Sequence, residues 1–214
     1  MNKLFDELKI TFNKNNFRLY IIGGSSRDYF LDREITDYDF VTDATPNDIK
    51  NFLDIDMAFA RFGTVKYYYD KKTKVDITTL REEKSYLDNR HPSEVNFVKD
   101  IAIDYKRRDF TINSIYITEN YEFLDPTGFG LSDLEKRILR FIGDPLTRIK
   151  EDPLRILRGE RFAIEYNLSV SDEYKKLFDE NRYLLSKISK GKLEEEKKKL
   201  EKVKNGLNYE LPKL

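Results

Sequence analysis

Apolar residues are spaced differently in the two parts of the chain. Up to about Gly143, short apolar runs recur between polar stretches: Arg18–Ile22, Tyr38–Thr42, Val65–Tyr69, Val75–Leu80, Ser114–Ile117 and Glu122–Leu124. They are rich in β-branched and aromatic residues and short enough to be strands. Thr45-Pro46 pairs an N-cap with proline at the first helical position and predicts a helix over Asn47–Leu53. After Gly143 no stretch reads as a strand. Asp152-Pro153, Ser169–Asp172 and Ser186–Ser189 read as helix starts. Lys187–Lys204, low in complexity and rich in Lys and Glu, predicts one exposed helix, and Asn205–Leu214 with Gly206 and Pro212 predicts a frayed end. The order predicts an α/β unit over 1–143, a helical unit over 144–205 and a frayed tail over 206–214, with no internal repeat.

Composition narrows the class. The 214 residues suffice for one large domain or a domain with an appendage. With no cysteine, disulfides and thiolate metal sites are excluded. No apolar run approaches the roughly 20 residues that span a bilayer. Met1–Asn16 carries acids and lacks the long apolar core of a signal peptide. The expectation is a cytoplasmic enzyme with no membrane partner. Lys+Arg and Asp+Glu balance at 39 each, so an RNA-binding face must come from local clustering rather than net charge.

Candidate chemistry begins at Gly23-Gly24-Ser25-Ser26-Arg27-Asp28. Two glycines after a strand let backbone N–H groups approach an anion, and Arg27 adds a charged donor for phosphate. Asp37 and Asp39 follow; on a strand, residues i and i+2 share a face, which sets two hard oxygen ligands side by side. Taken singly, a glycine pair is an ordinary turn and an Asp-x-Asp an ordinary cap or turn. Asp76, in an alternating run, is either a third carboxylate on a neighbouring strand or an edge acid facing water. Arg107-Arg108 could hold a triphosphate or an RNA backbone; the alternative is a helix end with Asp109 capping the next turn and Asn113 an ordinary cap residue. In Glu151–Arg161, Asp152 reads as an N-cap, and Arg155, Arg158 and Arg161 recur every third residue as a slanted stripe. Either this is a capped surface helix with an Asp152–Arg155 pair, or the stripe faces a ligand. An Asp accepting from an exocyclic amine and an Arg donating to ring acceptors would admit C and A and reject G and U.

Together these segments resemble the class II tRNA nucleotidyltransferases, the CCA-adding family that includes bacterial poly(A) polymerases. The likeness runs from about Phe17 to about Glu196. It rests on Gly23–Asp28 (GGxxRD), Asp37/Asp39 (DxD), Arg107–Asn113 (RRDFTIN), Asp125–Gly130 (DPxGG-like) and Glu151, Asp152 and Arg155 (EDxxR). Tyr86–Pro92, with Asp88 and Arg90, resembles the flexible loop that helps the family switch from CTP to ATP; the only histidine, His91, lies there and is given no acid–base role.

The resemblance implies a polymerase-β-like α/β catalytic head followed by an all-α neck. It implies that Asp37 and Asp39 hold Mg²⁺ with Asp76 as third carboxylate, that Gly23, Gly24 and Arg27 contact the triphosphate, and that Arg108 and Asn113 serve the incoming nucleotide. Asp152 and Arg155 would template the base, and Arg158 and Arg161 would support that site or bind the triphosphate. The activity implied is template-independent addition of C and A to tRNA 3′ ends from CTP and ATP, by Mg²⁺-dependent attack of the 3′-hydroxyl on the α-phosphate. A poly(A) polymerase or another tRNA-modifying transferase of altered specificity is the near alternative, and a non-catalytic RNA-binding or assembly subunit the distant one. Two departures stand out. The family continues into body and tail helices that grip tRNA, so an excised piece, a natural short form or half of a split enzyme is expected, with a partner chain or homo-oligomer supplying the grip. Ser189–Leu193 (SKGKL) also stands where the family has Ser-x-Glu-Arg-Ile.

Overall fold

The computed structural model describes residues 3–33, 35, 38–71, 73–86 and 92–206. It divides into two compact units, residues 1–84 with 94–131, and residues 85–93 with 132–214. The chain runs α1 (Lys3–Lys14), β1 (Leu19–Ile21), α2 (Gly23–Phe30), β2 (Asp39–Thr42), α3 (Pro46–Lys50), β3 (Ile55–Asp56), β4 (Thr64–Tyr68), β5 (Lys74–Thr79), β6 (Arg81–Tyr86), β7 (Pro92–Phe97), α4 (Ile101–Asp104), β8 (Tyr116–Ile117), β9 (Phe123–Leu124), α5 (Gly130–Glu135), α6 (Pro145–Glu151), α7 (Leu154–Glu165), α8 (Asp172–Asn181) and α9 (Lys190–Gly206).

In the first unit the strands form one sheet in the order β3-β4-β5-β2-β1-β8-β9, with β2 and β5 parallel and the other pairs antiparallel. All six expected strands are present, each shorter by a residue or two or shifted by one. Strand alternation gives the sheet two unlike faces. Phe40, Val65, Val75 and Ile77 point to one face and meet Leu4, Phe5, Leu8 and Phe12 of α1 and Ile49 of α3. Phe5 stacks on Phe40 with ring centroids 5.6 Å apart. The apolar positions of α1 follow helical periodicity; charged residues between them mask this in a reading by apolar runs, and the helix was not anticipated. Helix α3 starts where its cap predicts: Thr45 and Asp48 form a reciprocal capping box, and the helix ends at Lys50, before the expected Leu53. On the opposite face, Tyr20, Ile22, Val41, Leu80 and Tyr116 are covered by Val98, Ile101 and Tyr105. That cover lies over β1 and β8.

β6 and β7 form a separate two-stranded ribbon. Their polar sequences, REEKSY and PSEVNF, carry no apolar run to announce them.

The second unit is helical. Asp144 caps α6 and Ser171 caps α8 through side-chain oxygens that accept first-turn N–H groups. Leu154 and Leu157 of α7 pack with Leu185, Ile188 and Leu200. α9 lies where one exposed helix was expected, but Glu196 and Leu200 are buried. The exposed face has the i,i+3 and i,i+4 pairs its composition suggests, Lys197–Glu194 at 3.4 Å and Lys199–Glu195 at 3.1 Å.

Candidate active site

The open part of the sheet carries a row of charge. Phe40 of β2 is buried in the core, so its neighbour Asp39 lies on the other face. β5 sets Asp76 opposite Asp39, and Val75 and Ile77 turn into the core, leaving Asp76 on the same face as Asp39. β4 puts Lys66 opposite Asp76, and β3 puts Asp56 opposite Lys66. Four adjacent strands thus present Asp39, Asp76, Lys66 and Asp56 side by side. Lys66 Nζ lies 3.3 Å from Asp76 Oδ1, and 5.2 Å from the centroid of the Phe59 ring.

Helix α2 begins against this row. Ile22 N–H donates to Asp39 O at 3.0 Å, and Asp39 N–H donates to Ser25 Oγ at 3.0 Å. The expected glycine turn is a helix start, with Gly23 at φ +69°. A Cβ on Gly23 would stand 3.3 Å from Asp39 Oδ2, so the missing side chain leaves room beside the carboxylate. Ile22, the N-cap, adds no side-chain bond, and such a helix start offers backbone N–H groups to an anion. Gly23→Ala is expected to cost about 1–2 kcal/mol through its left-handed backbone and to crowd Asp39. Urea melts measure the first effect, and transfer rates falling further than the stability loss explains measure the second.

Arg27 and the 107–113 segment form one polar bracket. Arg27 is 4% exposed and donates through Nη1 to Asn113 Oδ1. Asn113 Nδ2 donates to Asp109 Oδ1 at 3.0 Å, which also accepts the Phe110 N–H at 2.8 Å. Gly24 lies over the guanidinium: its Cβ would be 3.6 Å from Arg27 Nη2. The bracket holds a buried positive charge in the helix whose first turn adjoins Asp39.

Arg108 is anchored elsewhere. Its Nε and Nη2 lie 3.0 and 2.8 Å from Asp104 Oδ2, and its guanidinium lies over the Tyr116 ring at 5.4 Å. Tyr116 Oη donates to the same oxygen at 2.7 Å. Arg107 Nε and the Arg81 N–H donate to Asp104 Oδ1 at 2.8 and 3.1 Å. Asp104 is fully buried. Burial pushes its carboxyl up, but Arg108, Arg107, the Tyr116 hydroxyl and the Arg81 amide together outweigh burial and hold it well below the usual carboxylate range.

In the helical unit, Asp152 Oδ1 accepts the Leu154 N–H at 3.1 Å, while its own carbonyl accepts the Arg155 N–H at 3.0 Å. Asp152 thus bonds the turn that leads into α7, but α7 starts at Leu154 with Pro153 in the N-cap position, so Asp152 is one residue earlier than the N-cap expected of it. Arg155 is buried and reaches back to Glu151 Oε2 at 2.9 Å and to the Arg148 carbonyl at 2.8 Å, and Arg148 bonds the same Glu151 oxygen. Arg158 lies over the Phe162 ring at 5.3 Å. Arg161 donates to Glu165 Oε2 at 3.0 Å and to the buried Glu196 Oε1 at 2.8 Å.

The first unit therefore gathers Gly23, Gly24, Arg27, Asn113, Asp39 and Asp76, with Arg108 on its Asp104 anchor; the second unit carries Asp152, Arg155, Arg158 and Arg161. Asp37, Asp88, Arg90 and His91 lie outside the described residues. Among the described residues no cluster of three or more His, Cys, Asp or Glu side chains is poised around a metal. The adjacent hard carboxylates of Asp39 and Asp76, and the space beside Asp39 that a Cβ at Gly23 would fill, suit a divalent cation such as Mg²⁺. Sequence reasoning missed Lys66, Asp104, Tyr116, Ser25 and Glu196. Of these, Asp104, three and four residues before Arg107 and Arg108, could have been found by helical spacing.

Residues 19–140, more than half of the chain, match the family model described as the poly A polymerase head domain. The CCA-adding enzyme of Staphylococcus haemolyticus is 39% identical over 175 residues, covering 80% of this chain and 43% of that protein. The Streptococcus gordonii CCA-adding enzyme is 40% identical over 175 residues, 81% of this chain and 43% of that protein. The crystal structure of the Bacillus stearothermophilus CCA-adding enzyme in complex with CTP superposes with a TM-score of 0.81 at 30% identity, covering 94% of this chain and 49% of that one. The chain thus spans less than half the length of these relatives. The doubly faced sheet, the carboxylates at its open end and the ordered motifs agree with that likeness: the chain belongs to the poly A polymerase head-domain family, with the polymerase-β-like nucleotidyltransferase fold followed by helices of the neck type.

Proposed function

We propose that the chain is a template-independent nucleotidyltransferase that adds C and A to tRNA 3′ ends from CTP and ATP in the cytoplasm. The observation that carries this reading is the register that sets Asp76 beside Asp39 at the start of α2. It is supported by relatives named CCA-adding enzymes and by a similar structure in complex with CTP. No helix among the described residues is long and apolar enough to cross a membrane.

In this proposal, residues 1–143 act as catalytic head and 144–205 as neck. Asp39 and Asp76, with Asp37, hold Mg²⁺. Held by these carboxylates, a divalent cation would supply Lewis acidity for the RNA 3′-hydroxyl and charge neutralisation at the triphosphate. The first turn of α2 and Arg27 receive the phosphates. Arg108, fixed by Asp104, and Asn113, fixed by Asp109, serve the incoming nucleotide. Asp152 accepts from the exocyclic amine of C or A, and Arg155, oriented by Glu151, donates to the ring acceptor. Arg158 and Arg161 stiffen the template helix, and Asp88 and Arg90 serve the switch from CTP to ATP. A further chain, a second copy or a longer form of this protein grips the tRNA elbow.

The test is extension of tRNAs ending before CCA, after C and after CC, with Mg²⁺ and single nucleotides. Ordered C, C, A addition is the expected result, and long A-tails would reassign the chain to poly(A) synthesis. Absence of both extension and CTP or ATP binding would remove the enzymatic reading. Asp152→Ala is expected to lower the preference for CTP over UTP by about tenfold or more, because a site built to accept an amine loses that acceptor. Competition between labelled CTP and UTP on one tRNA measures the ratio.

A further inference from the structure

Lys66 is the one cation in the row Asp39, Asp76, Lys66, Asp56. Its ammonium lies 3.3 Å from Asp76 Oδ1 and 5.2 Å from the centroid of the Phe59 ring, with the Lys74 side chain of β5 alongside it. The strand register places a second carboxylate, Asp56, directly across from it on β3. The Asp76 side chain is 41% exposed and the Lys66 side chain 18%, so water reaches the pair from the Asp76 side and screens much of what it contributes to folding. Stability therefore does not explain the arrangement well. Charge explains it better: Asp39 and Asp76 are directly opposed like charges, which repel across a strand pair unless a cation lies nearby.

We propose that Lys66 is an exchangeable counter-ion of the carboxylate row. It holds Asp76 while no divalent cation is bound, and yields Asp76 to the cation by swinging toward Asp56. This rests on the metal-site reading above. Lys66 then sets how tightly the site takes its cation. It opposes binding as a competing positive charge, and Asp56 favours binding by giving the displaced ammonium an acceptor. Lys66 acts through Asp76 and is a positioning residue.

The two roles have opposite signs, which a purely structural ion pair would not produce. Mn²⁺ binding to the 214-residue protein is followed by the electron paramagnetic resonance signal of the free ion, without substrate. Lys66→Met is expected to bind Mn²⁺ about three- to fivefold tighter at low salt, a gain that shrinks toward 1 M KCl as screening removes the competing charge. Lys66→Arg, which keeps the charge, is expected to bind as the wild type does. Asp56→Asn is expected to bind roughly twofold weaker. Lys66→Gln is read in place of Lys66→Met if the latter loses its far-ultraviolet circular dichroism. Equal or weaker Mn²⁺ binding in a folded neutral variant at Lys66, with binding still lost in Asp39→Asn, would overturn the role of Lys66 alone. Undiminished binding in Asp39→Asn would overturn the metal site itself and the counter-ion role with it.

Discussion

Asp39→Ala is expected to lower the rate of nucleotide transfer about a thousandfold or more, because a carboxylate that fixes a divalent cation at a phosphoryl centre has no substitute once removed. The fold should survive the change. Two of the Asp39 bonds run through the main chain, from the Ile22 N–H and to Ser25 Oγ, and alanine keeps both. The side chain leaves from the exposed start of β2, not from the core. Single-turnover extension of a tRNA ending in CC, beside a urea melt, separates the two effects. A variant that keeps a tenth of the wild-type rate would exclude Asp39 from the metal site.

The largest expected effect on stability is at Asp104. Asn there keeps the size of the side chain but removes the charge that faces Arg107 and Arg108, and breaking one side of a buried ion pair costs about 3–5 kcal/mol. At roughly 2–4 °C per kcal/mol for a chain of this length, the thermal midpoint should fall by about ten degrees. The pH dependence has a definite sign. The folded carboxyl lies below its unfolded value, so the folded state holds fewer protons on it. Its contribution is present above the unfolded pKa of about 3.9 and drains away as pH falls below it toward the folded value. Wild type should lose stability between about pH 4 and about pH 2 more steeply than Asp104→Asn does. Parallel slopes for the two proteins would mean that Asp104 is not the group responsible. Loosening the Arg108 anchor should also raise the KM for nucleotide, which the same preparations can report.

The legible features in this chain were local ones. Apolar runs of three to six residues announced six of the seven sheet strands, all but β3, because alternation is written within a run. Thr45-Pro46 and Ser171 announced helix starts because a cap reaches only a few residues along the chain. Helices α2, α4 and α5 were not anticipated, and α1 and α6 escaped the same logic in different ways. Charged residues interrupt the apolar positions of α1, whose buried face is evident only at helical spacing, and α6 begins at Asp144-Pro145, a signal of the same kind as Asp152-Pro153 that was not read. The ribbon β6–β7 had no apolar run to read.

The sequence by itself determined six sheet strands in their order, the helical character after Gly143 and the residue types of the site, since Gly23–Asp28, Arg107–Asn113 and Glu151–Arg155 are each contiguous. Tertiary structure alone decided which of these meet. Whether Asp76 was an edge acid or a neighbour of Asp39 depended on β5 pairing in parallel beside β2, a register set by Val75 and Ile77 packing into the same core as Phe40. That core also turned Lys66 and Asp56 onto the open face. Arg108 was committed to Asp104 and Tyr116, and Arg161 to Glu196, by carboxylates and a hydroxyl that burial obliges to find partners. Pairings of this kind join residues remote in the chain, and packing selects them where local propensity has no say.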